Sequence, residues 1–257
     1  MREKNMLRVM TYNVHSCLGL RGYNSIDDIV EIVREYNPDV FCAQELDVNV
    51  SRSGNIDQPG SIARKLYYHY HFVPARPVRQ GFLGSAVFSR FPMENVLASP
   101  LAGPARRQRF KVRGMVKRPL ESRSAIWVRV DHPLGKLSVF NTHLSLIRAT
   151  REFQVESLLG QQWLGKVLAE EPLIFCGDLN LDSGSKAYKF LASRLSDAQV
   201  GGGHKKPRAT FPAIAPMRNI DHIFYKGRIQ PAHAFVPKIK LTRKASDHLP
   251  VVVDFEI

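Results

Sequence analysis

Two strand–helix–strand units, one in each half of the chain, constrain this sequence more than any other feature in it. The run "LRVMTYNVH" (residues 7–15) is rich in β-branched and aromatic side chains, as a strand is. Behind it Ile26, Ile29, Val30, Val33 and Tyr36 recur at helical spacing, with Ser25 and Asp28 placed as a capping box and Asn37-Pro38 as the stop. A second strand, "DVFCAQE" (residues 39–45), follows at once. The pattern returns with "KLSVFNTHL" (residues 136–144), a helix expected from about 150 to 169, and "PLIFCGDLN" (residues 172–180). Phe153, Val155, Leu158, Leu159, Trp163 and Val167 supply that helix with an apolar stripe, which Gly160 and Gly165 weaken. Two such units predict an α/β domain built from related halves, with a cleft where the strand ends meet. The runs "SAVFS", "SAIWVRV", "IDHIFY" and "LPVVVDFEI" read as further strands. A division into two domains near residue 130 is the rival layout, but no Pro/Gly/Ser linker stands there, so residues 1–257 are expected to form one domain.

The strands of both units finish on polar residues: Asn13 and Glu45 in the first, Asn141, His143, Asp178 and Asn180 in the second. Asp221 and the pair Asp247-His248 lie beside two more apolar runs. Taken singly, each has an ordinary explanation. Asn13 can cap a turn, Glu45 can end a strand in solvent, and "GDLN" is built of turn formers. His143 can be a satisfied core histidine, and Asp221-His222 a salt-bridged pair. Taken together, carboxylates, a carboxamide and histidines are what a hard divalent cation and a hydrolytic water require.

Charge narrows the partners. Lys and Arg total 37 against 23 acids, a net charge of +14 at neutral pH. Such an excess concentrates polyanions, and nucleic acid and anionic lipid surfaces both fit it. Within residues 105–123, Arg107, Arg109, Lys111 and Arg113 alternate onto one strand face, either a solvated hairpin or an anion-gripping surface. A shorter basic cluster, Lys205, Lys206 and Arg208, sits in a Gly-rich loop. The three cysteines, Cys17, Cys42 and Cys176, show no CxxC spacing, which favours a reducing compartment over a disulfide framework. With no membrane-length apolar run and no apolar h-region behind the first basic residues, a cytoplasmic location is expected. No obligate protein partner is evident.

The ordered series "TYNVH", "QE", "NTHLS", "GDLN", "RNIDHIF" and "SDHLPV" resembles the motif series of the endonuclease/exonuclease/phosphatase superfamily, of deoxyribonuclease-I-like fold, and most of all its compact bacterial branch. GDxN alone is weak evidence; six motifs in order from residue 7 to residue 254 are strong. The resemblance implies a four-layer sandwich of two mixed β-sheets flanked by helices, with the active site at one edge. It also implies Mg²⁺ as cofactor, with Mn²⁺ as substitute, held at Glu45 with Asn13 and Asp247 beside it. Asp178 matches the residue that positions and deprotonates the attacking water, and Asn180 the one that holds the phosphate or that water. His248 matches a histidine on the scissile phosphate, oriented by Asp221, and His143 a second phosphate-facing histidine. Three departures stand out. "PVRQGFLGSAV" lacks the carboxylate that partners His143's counterpart in deoxyribonuclease-like relatives. Ser85 replaces an Asn common at that position, and His15 stands where some relatives carry an acid.

The implied reaction is in-line attack of water on a phosphodiester. The first reading is a Mg²⁺-dependent nuclease, gripped by Arg107, Arg109, Lys111 and Arg113. The alternative is a phosphodiesterase or phosphatase acting on a phospholipid or lipid-linked head group, where the same cations meet an anionic bilayer. A large exposed apolar loop would favour the lipid, and the two candidates, "GFLGSAVF" and "FPAIAPM", are expected to pack inside. An inactive binding module would have lost the metal carboxylate, the water-positioning aspartate or the terminal histidine, and all three are present. His69 and His71 share a strand face, but no third ligand at zinc spacing accompanies them.

Overall fold

The structure, a computed structural model, describes residues 5–101, 103, 122–167 and 171–257. Its strands form two six-stranded sheets. The first runs β11 (Gln230–Phe235), β12 (Val251–Glu256), β1 (Met6–Asn13), β2 (Val40–Val48), β4 (Gly81–Ser89), β3 (His69–Val78). The second runs β5 (Met93–Leu101), β6 (Arg123–His132), β7 (Gly135–His143), β8 (Leu173–Asp178), β10 (Asp221–Lys226), β9 (Ser196–Asp197). In each sheet one central pair is parallel, β1 with β2 and β7 with β8, and the other pairings are antiparallel. The two sheets therefore repeat one plan, as the paired units in the sequence predict.

Alternation along the strands separates the layers. On β1, Leu7 and Val9 point between the sheets, meeting Val128, Val139, Ile174 and Ile223 of the second sheet. Met10 and Tyr12 point the other way, under α1 (Ile26–Tyr36) and α2 (Gln58–Leu66). On the second sheet Trp127, Phe140, Phe175 and Phe224 face α3 (Arg148–Leu159) and α4 (Lys186–Ala192). Helix, sheet, sheet, helix is thus the order of layers, a deoxyribonuclease-I-like sandwich. Two shorter helices, α5 (Ala198–Gly201) and α6 (Lys240–Ala245), complete the described helices. No helix among the described residues is long and apolar enough to cross a membrane.

Three local expectations change. The helix expected to about residue 169 stops at Leu159, because Gly160 turns extended (ψ 172°) and the chain continues through a short 3-10 turn, Leu164–Lys166. Trp163 is buried from that turn rather than from a helical face. Ser25 does not cap α1; its hydroxyl donates to Ala245 O, and Asn24 Oδ1 accepts the Ile26 N–H instead. Asp28 pairs with Lys244. The tip of "FPAIAPM" is exposed at Ile214 and Met217, which lie on a turn outside the sheets, and Phe82 of "GFLGSAVF" is also exposed, at the start of β4 beyond the reach of the covering layers. All three cysteines are free and buried.

A polar contact crosses the apolar layer between the sheets. Asn141 of β7 donates to Ala43 O and Ala86 O of the facing sheet and accepts from Gln44 Nε2 at 2.7 Å. A buried amide whose hydrogen bonds are specific to one partner geometry sets how the two sheets register against each other.

Candidate active site

The topology brings one end of each sheet to the same edge. β1 and β2 run parallel, so Asn13 and Glu45 fall near one end, and β7 and β8 place His143 opposite Asp178 at theirs. β10 is antiparallel to β8 and begins where β8 stops, so Asp221 pairs directly with Asp178. β12 is likewise antiparallel to β1, and His248 lies just before it. Side chains separated by more than two hundred residues converge for this reason.

Asp178 is the hub. Its Oδ2 accepts from Asn13 Nδ2 at 2.9 Å and lies 3.3 Å from His143 Nε2 and 3.7 Å from His248 Nε2. Its Oδ1 accepts the Asn180 N–H at 3.1 Å. The glycine before it is required by the strand pairing: Gly177 has φ +145°, and a Cβ there would sit 1.8 Å from Thr142 O. Asn180 itself adopts a left-handed backbone (φ 52°) and directs Nδ2 to Leu144 O at 3.0 Å and towards His143 Nε2 at 3.3 Å.

His248 stands in a buried chain of hydrogen bonds. Its Nδ1 meets Asp221 Oδ2 at 2.8 Å, and the Thr210 hydroxyl donates to that same oxygen. Phe211 packs on the imidazole at 4.9 Å between centroids. Burial opposes the charged ring, but Asp221 and Asp178 outweigh it and raise the His248 pKa to about 10. Burial also raises Asp178, to about 7; repulsion from Asp221 and Glu45 adds to this, against the attraction of His248 and the hydrogen bond from Asn13. His143 goes the other way. Burial, with the Arg123, His248 and Arg76 charges, holds it well below the ordinary range, although Glu45 Oε1 lies 3.8 Å from its Nδ1. A neutral His143 agrees with the missing strand carboxylate noted in the sequence.

Glu45 occupies a register shift in β2, between Ala43 and Leu46, with φ 59°. That strained backbone aims its carboxylate into the cleft, beside Asn13 Nδ2 at 3.2 Å. Asp247 lies on the outer flank, 3.9 Å from His15 Nδ1. His222 does not pair with its neighbour Asp221. Strand alternation sends it to the opposite face, where Asp197 and Leu181 O hold it.

Two donor sets could take a cation. Asp178, Asp221 and His248 offer three ligand atoms within 4.8 Å of one another. In that group, however, Asp221 Oδ2 already accepts from both His248 and Thr210. Glu45 offers a partly exposed carboxylate, and the buried Asn13 beside it turns Nδ2 towards that carboxylate while its Oδ1 accepts the His15 N–H at 3.0 Å, so the Glu45 carboxylate is the exposed ligand of this pair. It suits a hard ion of the Mg²⁺ or Mn²⁺ kind.

The cleft has a volume of about 210 Å³, and its wall includes Arg52, Arg76, Arg123 and Arg218. Sequence reasoning singled out none of these four: Arg52, Arg76 and Arg218 come from separate segments, and Arg123 closes the basic run 105–123, in which alternation points to other members. Arg52 is held by a two-point pair with the buried Asp47. Arg107, Arg109, Lys111 and Arg113 lie outside the described residues.

Fold and cleft define a two-sheet α/β sandwich with its polar centre at the strand ends, and comparison with known proteins identifies its relatives. The chain matches the Endonuclease/Exonuclease/phosphatase family over residues 10–248. It is 24% identical to the uncharacterized protein YbhP of Escherichia coli (strain K12), over 97% of this chain and 96% of that one. It is 26% identical to a DNA-(apurinic or apyrimidinic site) endonuclease of Dictyostelium discoideum, over 70% of this chain and 43% of that one. Among solved structures, an endonuclease/exonuclease/phosphatase from Beutenbergia cavernae DSM 12333 superposes with a TM-score of 0.76 at 24% identity, covering 99% of this chain and 72% of that one. The chain belongs to the endonuclease/exonuclease/phosphatase family, whose members are phosphoester hydrolases and generally depend on divalent metal.

Proposed function

We propose that the protein is a Mg²⁺-dependent phosphodiesterase working by in-line attack of water, with Mn²⁺ as substitute cation. The observation that carries this reading is the meeting of Asn13, His143 and His248 around the single carboxylate of Asp178. A base poised at about 7 lies next to an imidazole held protonated to about 10, the separation that acid and base roles need near neutral pH.

Asp178 takes the proton of the attacking water at a carboxylate oxygen. His248 gives the Nε2 proton to the leaving oxygen, while Asp221 holds Nδ1 and keeps the ring in position. Neutral His143 and the Asn180 amide shape the wall against the phosphoryl group without adding a charge. Glu45 and Asn13, with Asp247 on their flank, would hold the cation. Bound there, the cation supplies Lewis-acid stabilisation of charge on the phosphoryl oxygens. Four cleft arginines add fixed positive charge around that position.

Two substrate classes have support. Nucleic acid is supported by the net charge of +14 and by the DNA endonuclease relative. A phospholipid or lipid-linked head group is supported by the exposed Ile214 and Met217 beside the cleft. The test is a panel of plasmid, single-stranded DNA, RNA, abasic duplex, anionic phospholipid vesicles and inositol phosphates, with and without Mg²⁺. Hydrolysis of a diester in the panel only when Mg²⁺ is present is expected; undiminished hydrolysis in excess EDTA would remove the metal mechanism.

A further inference from the structure

Between α5 and β10 the chain makes a short hairpin whose base is built into the molecule, Phe211 packing on His248 and Ala213 buried in the core, while its outer residues serve neither. Phe211 and Arg218 pair across its base, and the N–H groups of Met217 and Arg218 both donate to Phe211 O. The base faces the cleft, where Phe211 and Arg218 form part of the wall. Beyond Ala213 the tip faces outward: Ile214 is 65% exposed and Met217 78%. Leu146, another cleft residue, is 58% exposed, and Ile147 after it 44%. Arg151 donates to Leu146 O, and Arg218 lies near enough for the two cations to feel each other, which puts the two segments side by side. Large apolar side chains scattered singly over a surface need no explanation, but four gathered at the mouth of a cleft do.

Cations border this patch. Arg148 and Arg218 are each paired with a carboxylate, Glu152 and Asp182. Lys205, Lys206 and Arg208 are exposed and make no ion pair among the described residues. Their loop is tied to the hairpin's exit by Asn219 Nδ2, which donates to Pro207 O at 3.2 Å. Aliphatic tips bordered by unpaired cations match an anionic bilayer, which takes apolar side chains into its acyl boundary and lysines at its phosphates. Isoleucine and methionine neither hydrogen-bond phosphate nor offer the aromatic face on which bases stack, so a nucleic acid could use the tip only as a wedge between base steps, whereas a bilayer takes it up directly.

We infer that the 211–218 hairpin, with Leu146 and Ile147, seats the cleft on an anionic phospholipid surface and presents head-group phosphodiesters to it. The inference rests on the phosphodiesterase reading and takes the second of its substrate classes. The test is cosedimentation of the full chain with vesicles of phosphatidylglycerol and phosphatidylcholine in equal parts, for the wild type, the Ile214→Ser/Met217→Ser double variant and the Lys205→Glu/Lys206→Glu double variant. The wild type is expected to pellet with the vesicles. Losing two buried apolar tips should weaken the binding of the first variant roughly tenfold or more, and the second variant should bind weakly as well. Both should hydrolyse the soluble diester bis(p-nitrophenyl) phosphate at the wild-type rate, since neither pair touches the reacting groups. Absence of wild-type binding, or undiminished binding by the first variant, would overturn the inference. So would a first variant that keeps its vesicle binding and loses oligonucleotide binding, which would make the hairpin a nucleic acid wedge. Failure of the phosphodiesterase reading shows separately, as absence of Mg²⁺-stimulated hydrolysis of the soluble diester.

Discussion

Replacing Asp221 by asparagine keeps the shape of the buried chain and removes one charge, so its effect on His248 can be worked out from the structure. Asp221 Oδ2 lies 2.8 Å from His248 Nδ1. At an effective dielectric of about 20, unit charges at that separation attract by about 6 kcal/mol. Divided by 1.36 kcal/mol per unit, that is about 4 pKa units. Since the ring sits at about 10 in the wild type, the variant's should fall to about 6, where burial is opposed chiefly by Asp178. At about pH 8 the wild-type ring is almost fully protonated and the variant's is about one per cent protonated, so the rate should drop on the order of 10²-fold there. The assay is initial hydrolysis of bis(p-nitrophenyl) phosphate in saturating Mg²⁺ from about pH 5 to about pH 10, with product read after quenching into alkali. The wild type should hold its rate to about pH 9 and lose half of it by about pH 10, while Asp221→Asn should lose it on the alkaline side of about pH 6. An Asp221→Asn alkaline limb still near 10 would refute the charge argument and leave Asp221 a purely steric role.

Three further outcomes follow from the same geometry. Asp178 sits at about 7 without a cation, and a divalent charge beside Glu45 favours its ionised form. The acid limb of the rate profile should therefore move below about 7 as Mg²⁺ is raised; a limb indifferent to Mg²⁺ would separate the cation from the base. Glu45→Gln and His248→Ala should each lower turnover by about 10²-fold or more; the thermal midpoint should be little changed in Glu45→Gln and lowered in His248→Ala, which leaves buried Asp221 without its counter-ion, and only Glu45→Gln should weaken Mn²⁺ binding in calorimetry. Gly177→Ala would drive a Cβ into Thr142 O at 1.8 Å and should cost about 3 kcal/mol or more in urea unfolding; an unchanged midpoint would mean the β7–β8 pairing can yield.

What the sequence made legible was local. Asn13, Glu45, His143, Asp178, Asp221 and His248 each close or precede an apolar run, and a strand end is written in the few residues around it. The parallel β1–β2 and β7–β8 pairs then bring those ends to one edge without further information. The four cleft arginines were not legible, because Arg52, Arg76, Arg123 and Arg218 become neighbours only through the order of strands in the two sheets. The end of α3 was misjudged for a different reason: an apolar stripe continues to Val167, but Gly160 leaves the helical region and Trp163 is buried by the turn instead. Ile214 and Met217 look like core in composition, yet the bridge between Phe211 and Arg218 holds them outside it.

The account stands most directly on where a cation binds. Diffraction data from crystals soaked in Mn²⁺, collected above the manganese absorption edge, would place the ion by its anomalous signal. A single strong peak in contact with the Glu45 carboxylate, beside Asn13 and lost in Glu45→Gln, is the predicted result. A peak seated among Asp178, Asp221 and His248, with Glu45 free of metal, would contradict the assignment of base, acid and cation site together.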